Sequence, residues 1–258
     1  MKKLFLSCAI LALGTQATFA SLIDTRTDTT PTGATVDQVL SPNEYGPGNS
    51  YVYLGGGNGF GGTVGGGALY LKSDATNLYI GMQFGNALND LVGILLDTKS
   101  GGYVDATMND NGDGCRKALT QQSINANDPY DSGFLADYGV CLGNFGSVSF
   151  ELTADPNPIN FLTFDGTTSQ PFREFSVSLA SIGVAPGSAI DFFVSYTSDS
   201  GYGSNESIPA YGPLNSGPNT GFDGPSPGYG NHDRFVTSPE PTSLALLGLG
   251  FLALRRRR

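Results

Sequence analysis

Short apolar segments separated by turn-forming residues constrain how this chain can fold. The sequence of 258 residues contains 37 glycines and 15 prolines, and their spacing leaves little room for a long helix. Several segments alternate apolar and polar residues, which is the pattern of a strand with one buried face. Segments 91–96 and 189–196 are almost continuously apolar, as expected for central strands. We therefore predict an all-β fold, an antiparallel β-sandwich or jelly roll.

The predicted strands are short, and a single segment has a helical pattern. Strands are predicted at 34–40, 77–84, 91–96, 148–152, 159–164, 172–179, 189–196 and 234–236, and a short helix at 116–124. Loops are predicted at 55–67, at 97–129 and at 201–231, the last being a long loop or a linker. Residues 57–62 fit G-x-G-x-x-G, but the glycines at 65–67 cannot open the helix that a nucleotide site requires. A surface loop is the expected structure there.

The first 20 residues have the pattern of a secretory signal peptide. Lys2 and Lys3 precede an apolar run at 4–13, and small residues lead up to Ala20. The apolar run is shorter than the roughly 20 residues that a membrane-spanning helix needs. We predict that signal peptidase cleaves between Ala20 and Ser21, so that residues 1–20 are a signal peptide and an exported body begins at 21.

The other end of the chain has three features in a fixed order. Pro239, Glu240 and Pro241 precede a short apolar segment at 244–254, and the chain ends with Arg255, Arg256, Arg257 and Arg258. This tail, residues 238–258, resembles the PEP-CTERM sorting signal. The resemblance implies a Gram-negative bacterium whose exosortase removes the tail near 239–241, with the protein reaching the cell surface or extracellular matrix. An apolar helix of about 17 Å, with arginines as a stop, suits transient membrane insertion.

Composition excludes several functional classes. Asp and Glu number 23 against 13 Lys and Arg, so the chain is acidic, and removing both ends leaves a body, 21–237, with a net charge of −15. Such a body is not expected to bind nucleic acid. A single histidine and no tryptophan exclude His-rich zinc sites and tryptophan platforms for sugars. That histidine, His232, is expected to be solvated.

Several phrases of the body resemble the β-sandwiches of family 9 carbohydrate-binding modules. These phrases are TVDQVLSPNEYG at 35–46, DATNLYIG at 74–81, ILLDTKSGG at 94–102, GFLADY at 133–138 and SLASIGVAPG at 178–187. The resemblance implies a sandwich fold and a sugar ligand. Gln38 stands where the family usually has glycine, and the tryptophans of the family's sugar platform are missing. The alternative aromatic residues for stacking on sugars are Tyr51, Tyr53, Tyr70, Tyr79, Tyr202, Tyr211 and Tyr229.

One loop has the oxygen ligands and glycines that calcium prefers. Asn109, Asn111 and Asp113 alternate along the chain and match the first half of an EF-hand loop. Thr120 occupies the twelfth position, where a bidentate glutamate is required, so a complete EF-hand is excluded. A calcium site completed by other aspartates and a simple Asx/Gly turn both stay open. No other cofactor is predicted.

Two cysteines remain after the signal peptide is removed. Cys115 and Cys141 form an even pair in an exported protein, which predicts one disulfide and leaves two buried free thiols as the alternative.

The predicted function is therefore non-catalytic. We expect an exported surface or extracellular-matrix protein, sorted by exosortase, with exopolysaccharide binding left open. A carbohydrate-binding module of defined glycan specificity is the alternative. A secreted glycoside hydrolase is less favoured, because the spacing of Glu151, Glu174 and Glu206 marks no catalytic pair.

Overall fold

The structure is a computed structural model that describes residues 21–53, 61–102, 113–123, 134–152, 159–199, 203–209 and 231–240. The predicted signal peptide, the apolar segment at 244–254 and the terminal arginines lie outside these residues. Within the described part of the chain, no helix is both long enough and apolar enough to cross a membrane.

Twelve short strands and one helix make up the described body. The strands are β1 (Ser21–Thr27), β2 (Ser50–Val52), β3 (Ala68–Ser73), β4 (Asn77–Gln83), β5 (Leu91–Asp97), β6 (Tyr138–Gly143), β7 (Gly146–Glu151), β8 (Phe161–Asp165), β9 (Phe172–Ser178), β10 (Ala189–Thr197), β11 (Gly203–Ile208) and β12 (Asn231–Val236). Helix α1 spans Gly114–Ser123, and one turn of 3-10 helix spans Ala180–Ile182. The predicted helix and seven of the eight predicted strands are confirmed within a few residues.

The strands form two sheets that pack face to face, which confirms the predicted β-sandwich. The larger sheet has the order β1-β12-β10-β5-β6-β7-β8, and the smaller sheet has the order β2-β3-β4-β9. Neighbouring strands are antiparallel except for β1 and β12, the first and last strands, which pair in parallel. Strands β12 and β11 share one side of β10, with β12 along Ala189–Phe192 and β11 along Val194–Thr197.

Central strand β5 is buried on both faces because the larger sheet is covered on both sides. Val92, Ile94 and Leu96 face the core between the two sheets. Leu91 and Leu95 face the opposite way, into a second apolar cluster that includes α1. A strand covered on both faces needs apolar residues at every position, which explains the continuous apolar run in the sequence.

Helix α1 packs closely on the outer face of the larger sheet. Leu119 of α1 contacts the backbone at Gly93 and Gly139, where a Cβ atom would collide with its side chain. The predicted disulfide between Cys115 and Cys141 is present and joins the first turn of α1 to β6, with a Cα–Cα distance of 5.9 Å. Glycine in two adjacent strands therefore provides the space for α1, and the disulfide fixes its position.

The predicted strand at 34–40 is wrong. This segment contains a bend at Asp37 and Gln38, and Gln38 has a left-handed backbone with φ of 69°. It crosses to edge strand β9, where the Gln38 side-chain amide donates to the Glu174 carbonyl and accepts from the Glu174 N–H, both at 3.0 Å. The alternating pattern failed because this side chain, and not a backbone strand, satisfies the open edge of the smaller sheet.

Five strands were not predicted: β1, β2, β3, β6 and β11. The case of β11 is informative, since its sequence GSNESI lies in the predicted loop at 201–231 and is mostly polar. Ser204, Ser207 and Ile208 are nevertheless buried, because β11 pairs with the second half of β10. Burial of such a polar strand depends on its neighbours, so the local pattern did not reveal it.

Candidate functional site

A groove of about 700 Å³ lies on the outer face of the larger sheet, between the start of α1 and edge strand β8. Its floor is apolar and includes Leu91, Cys115 and Val148, which are buried members of the outer apolar cluster. The disulfide therefore lies at the base of the groove and fixes the α1 side of it. An apolar concave surface with polar groups at its rim is the usual form of a small-molecule or sugar site.

Three exposed phenylalanines form one side of this groove. Phe145, Phe161 and Phe164 are 44%, 51% and 65% exposed, which is high for large apolar side chains. Phe145 lies in the turn between β6 and β7, and the other two lie on β8. Aromatic rings exposed in this way can stack on the apolar C–H face of a sugar ring.

A β-bulge places two of these rings on the same face. Phe161 pairs with Phe150 and Phe164 pairs with Val148, with the bulge between these two pairs. Phe150 and Val148 are two residues apart and both face the outer cluster. Residues that pair directly across two strands share a face, so Phe161 and Phe164 also share it, although a regular strand would turn them to opposite faces.

The rest of the rim carries amide and carboxylate groups. These belong to Asn89, Asp90, Asp113, Asn144 and Asp199. The Asp90 main-chain N–H donates to the Tyr196 hydroxyl at 3.1 Å, which ties this corner of the rim to β10. Carboxylates accept hydrogen bonds from hydroxyl groups, and amides both donate and accept them. The groove thus combines aromatic rings with the polar groups that a sugar requires.

Asp113, one of the three predicted calcium ligands, lies in the groove wall and caps α1. Its Oδ1 accepts a hydrogen bond of 2.9 Å from the Arg116 N–H in the first turn of the helix. Asn109 and Asn111 lie outside the described residues. Among the residues that the structure does describe, no three His, Cys, Asp or Glu side chains cluster to hold a metal. Calcium binding stays a prediction.

The tyrosines predicted to stack on sugars do not line the groove where the structure describes them. Tyr51 is buried, packs edge-on against Phe192 and donates to the Arg234 carbonyl at 2.7 Å. The Tyr79 hydroxyl donates to Asp74, and Tyr70 packs against the ring of Tyr45 on the smaller sheet. Tyr53 is half-buried and packs against the central core. Tyr202, Tyr211 and Tyr229 lie outside the described residues.

His232 is buried, so its predicted exposure to solvent is wrong. Its ring stacks on Phe134 with a centroid distance of 5.5 Å, and Nε2 lies 3.6 Å from Asp191. Arg234 makes a bidentate ion pair with the same Asp191 at 2.6 and 2.7 Å. Phe134 covers His232 from about 100 positions away in the sequence, so no local signal near His232 revealed its burial.

Two carboxyl groups in this part of the larger sheet have raised pKa values. Burial raises the pKa of Asp97 to about 6, and the neighbouring Asp137 and Asp191 add to the effect, while a hydrogen bond from the Leu135 N–H opposes it. Burial also raises the pKa of Asp233 to about 7, reinforced by Asp24 and opposed by Arg26. Both groups therefore change charge close to neutral pH.

The glycine-rich loop is held by a carboxylate from the same chain. Glu206 of β11 accepts hydrogen bonds from the N–H groups of Gly62, Val64 and Gly65. Successive backbone N–H groups of this kind form an anion-binding nest. Glu206 fills this nest, so a carboxylate of the chain itself holds residues 61–67 in place.

The three glutamates considered for hydrolysis lie in separate hydrogen-bond networks. Glu151 pairs with Lys99 at 3.3 Å and accepts from Asn160. Glu174 accepts hydrogen bonds from the N–H groups of Asp37 and Gln38 and from the Tyr45 hydroxyl, the last at 2.9 Å. Burial raises the pKa of Glu174. Glu206 holds the glycine-rich loop. The structure thus places the three side chains in three different networks.

Comparisons with known proteins bear on the tail and on the body. Residues 239–258 match the PEP-CTERM protein-sorting motif. The predicted tail is therefore confirmed, and the motif indicates an exported protein that is sorted to the cell surface. A comparison with curated proteins found no match.

Among solved structures, the chain is similar to a carbohydrate-binding module of family 9 from Caldicellulosiruptor kristjanssonii, determined in complex with cellotriose. The identity is 12%, the TM-score is 0.34, and the alignment covers 84% of this chain and 94% of the module.

Proposed function

We propose that this chain is a non-catalytic, exported surface or extracellular-matrix protein that binds polysaccharide in the groove between α1 and β8. The observation that carries the proposal is the pair of exposed rings, Phe161 and Phe164, which a bulge turns to one face beside a polar rim. A monomeric protein gains nothing in stability from exposing such rings. Their exposure together above an apolar floor favours a ligand that has both an apolar face and hydroxyl groups.

The charge of the protein selects among polysaccharides. The rim residues Asp90, Asp113 and Asp199 line the groove on a body that carries a net charge of −15 after removal of both ends. A negative field repels polymers rich in uronic acid or sulfate. We therefore expect neutral or amino-sugar glycans to bind and acidic glycans to bind weakly.

The test is a glycan array that carries neutral, amino-sugar and uronic-acid oligosaccharides, followed by titration calorimetry with the best neutral hit. Phe161→Ala and Phe164→Ala are each expected to weaken binding about tenfold through the loss of one stacking contact. Val39 is exposed, follows the residue that binds β9 of the smaller sheet and does not line the groove. Val39→Ala is therefore the control, with unchanged affinity expected.

Two results would contradict the binding part of the proposal, and a third would contradict the non-catalytic part. One is saturable binding that survives the double substitution Phe161→Ala/Phe164→Ala, which would place the ligand elsewhere. The other is the absence of binding to every glycan class, combined with altered biofilm on deletion, which would favour a purely structural matrix protein. Release of reducing sugar from a bound glycan would overturn the non-catalytic part.

A further inference from the structure

The chain does not leave the folded body when β12 ends at Val236. The next two residues, Thr237 and Ser238, are 0% and 1% exposed. Pro239 is half-buried, and Glu240 is the first exposed residue. The sorting motif at 239–258 therefore begins where the chain reaches the surface, with no spacer between the motif and the folded body.

Main-chain hydrogen bonds hold both buried residues. The Thr237 N–H donates to the Ser188 carbonyl at 2.9 Å, and the Ser238 carbonyl accepts from the Gly187 N–H at 3.1 Å. The Ser238 N–H donates to the Ser73 hydroxyl at 2.7 Å. The peptide groups on both sides of Ser238 are thus fixed by the fold.

These contacts come from both sheets. The turn at 185–188 leads into β10 of the larger sheet, whereas Ser73 is the last residue of β3 in the smaller sheet. Asp28, which follows β1, accepts from the Ser73 N–H at 2.9 Å and lies 3.8 Å from the Lys72 ammonium group. Thr237 and Ser238 therefore close one end of the sandwich, and releasing them would break contacts to both sheets.

We infer that the folded body sets the upstream limit of tail processing. A peptidase binds its substrate in an accessible, extended form, and residues up to Ser238 cannot adopt that form without opening the end of the sandwich. The Ser238 carbonyl is engaged by Gly187, so the first bond clear of the fold is Pro239–Glu240. The processing enzyme cleaves at that bond or later, and the mature protein keeps Thr237 and Ser238.

The same geometry defines the surface that the enzyme meets. Since Glu240 lies only two residues beyond a buried serine, an enzyme that binds it must approach the end of the sandwich formed by the turn at 185–188. In the reaction the peptide C–N bond breaks, and the acyl group of the body is transferred to water or to an acceptor amine. The proton that this acceptor loses is taken up by the leaving amine, which departs with the tail.

The first test is the intact mass of the protein purified from its native host. A C-terminus at Pro239, Glu240 or Pro241 is expected. A C-terminus at Ser238 or earlier would overturn the inference, and so would a native protein that still ends at Arg258. The position of the C-terminus does not depend on carbohydrate binding. The inference on tail processing can therefore be wrong while the groove proposal is right, and the reverse.

The second test measures the fold without the processing enzyme. Within residues 231–258 of the full chain, limited digestion by proteinase K is expected to cut only at or after Pro239. Ser73→Ala removes the acceptor of the Ser238 N–H and is expected to speed cleavage upstream of Pro239 roughly fivefold, the equivalent of one net hydrogen bond. Ser176→Ala in β9 is the matched control. Wild-type cleavage between Asn231 and Ser238 at the rate of tail removal would refute the inference whatever the variant does.

Discussion

Phe161 and Phe164 lie three residues apart on β8, yet both side chains lie on the outer face of the larger sheet. Leu162, between them, packs on the opposite side against the core that the two sheets share. The bulge therefore places Phe161 and Phe164 on the outer face and Leu162 towards the core. The candidate groove depends on this local irregularity.

An exchange of neighbouring residues tests the importance of the bulge. In the double variant Phe161→Leu/Leu162→Phe, composition is unchanged, but one ring moves from the groove to the core side. We expect glycan binding to fall about tenfold, the loss of one stacking contact. Phe161→Tyr keeps an aromatic ring in place and is expected to bind within about threefold of wild type by the same reasoning. Equal binding by the exchanged variant would contradict the assigned geometry.

Substitutions at Gln38 separate backbone conformation from hydrogen bonding. Gln38→Ala removes two hydrogen bonds to Glu174 and keeps a side chain at a φ of 69°, so a loss of about 2 kcal/mol in unfolding free energy is expected. Gln38→Gly loses the same bonds but relieves the left-handed strain, so it is expected to be about 1 kcal/mol more stable than Gln38→Ala. Urea unfolding of both variants measures the difference. An alanine variant as stable as the glycine variant would show that strain is unimportant here.

Loss of the disulfide is expected to affect both stability and the groove. Cys115 and Cys141 are separated by 26 positions, and opening this loop is expected to cost about 3 kcal/mol of unfolding free energy. The double variant Cys115→Ser/Cys141→Ser, compared with wild type by urea unfolding, tests the loss. Reductant is expected to destabilise the wild type and to leave the variant unchanged. Since Cys115 lines the groove, glycan affinity is expected to fall as well.

The raised pKa of Asp233 predicts how stability depends on pH. The folded protein holds this proton up to about pH 7, whereas the unfolded carboxyl releases it near 3.8. Between these values the folded state binds more protons, so this group's contribution is full below about pH 4 and is lost as pH rises towards 7. Stability of the wild type is therefore expected to fall across this window.

Asp233→Asn isolates that contribution. The asparagine Oδ1 can still accept the hydrogen bond of 3.0 Å from the Asp24 N–H, but the group no longer titrates. Thermal unfolding from pH 4 to pH 8 is expected to show a flatter profile for the variant and a higher melting temperature at pH 7.5. Asp24 and Arg26, which face this carboxyl, are present in both proteins. Parallel profiles would exclude Asp233 as the source.

Most of the strands were predictable because the order of apolar and polar residues within each segment specifies them. Alternation in β4 and the continuous apolar run in β5 specify which faces are buried, and the structure confirms them. In β9 the alternation predicts the burial of Phe175 and Val177, but Arg173 and Glu174 are buried as well. Strand β11 and the segment around Gln38 were mispredicted because their environment comes from distant residues. A polar strand becomes buried when β10 offers it an edge, and a side-chain amide can replace a strand at the edge of β9.

The sequence alone determined the sorting motif, the β-sandwich class and the cysteine pair, since each depends on residue type and spacing along the chain. Tertiary structure alone decided where the candidate groove lies and where the motif leaves the body. Sequence reasoning looked for tyrosines, but a bulge exposed phenylalanines, because the face that a side chain occupies depends on cross-strand register. The buried Ser238 depends on contacts with Ser73 and Gly187, which only folding brings together.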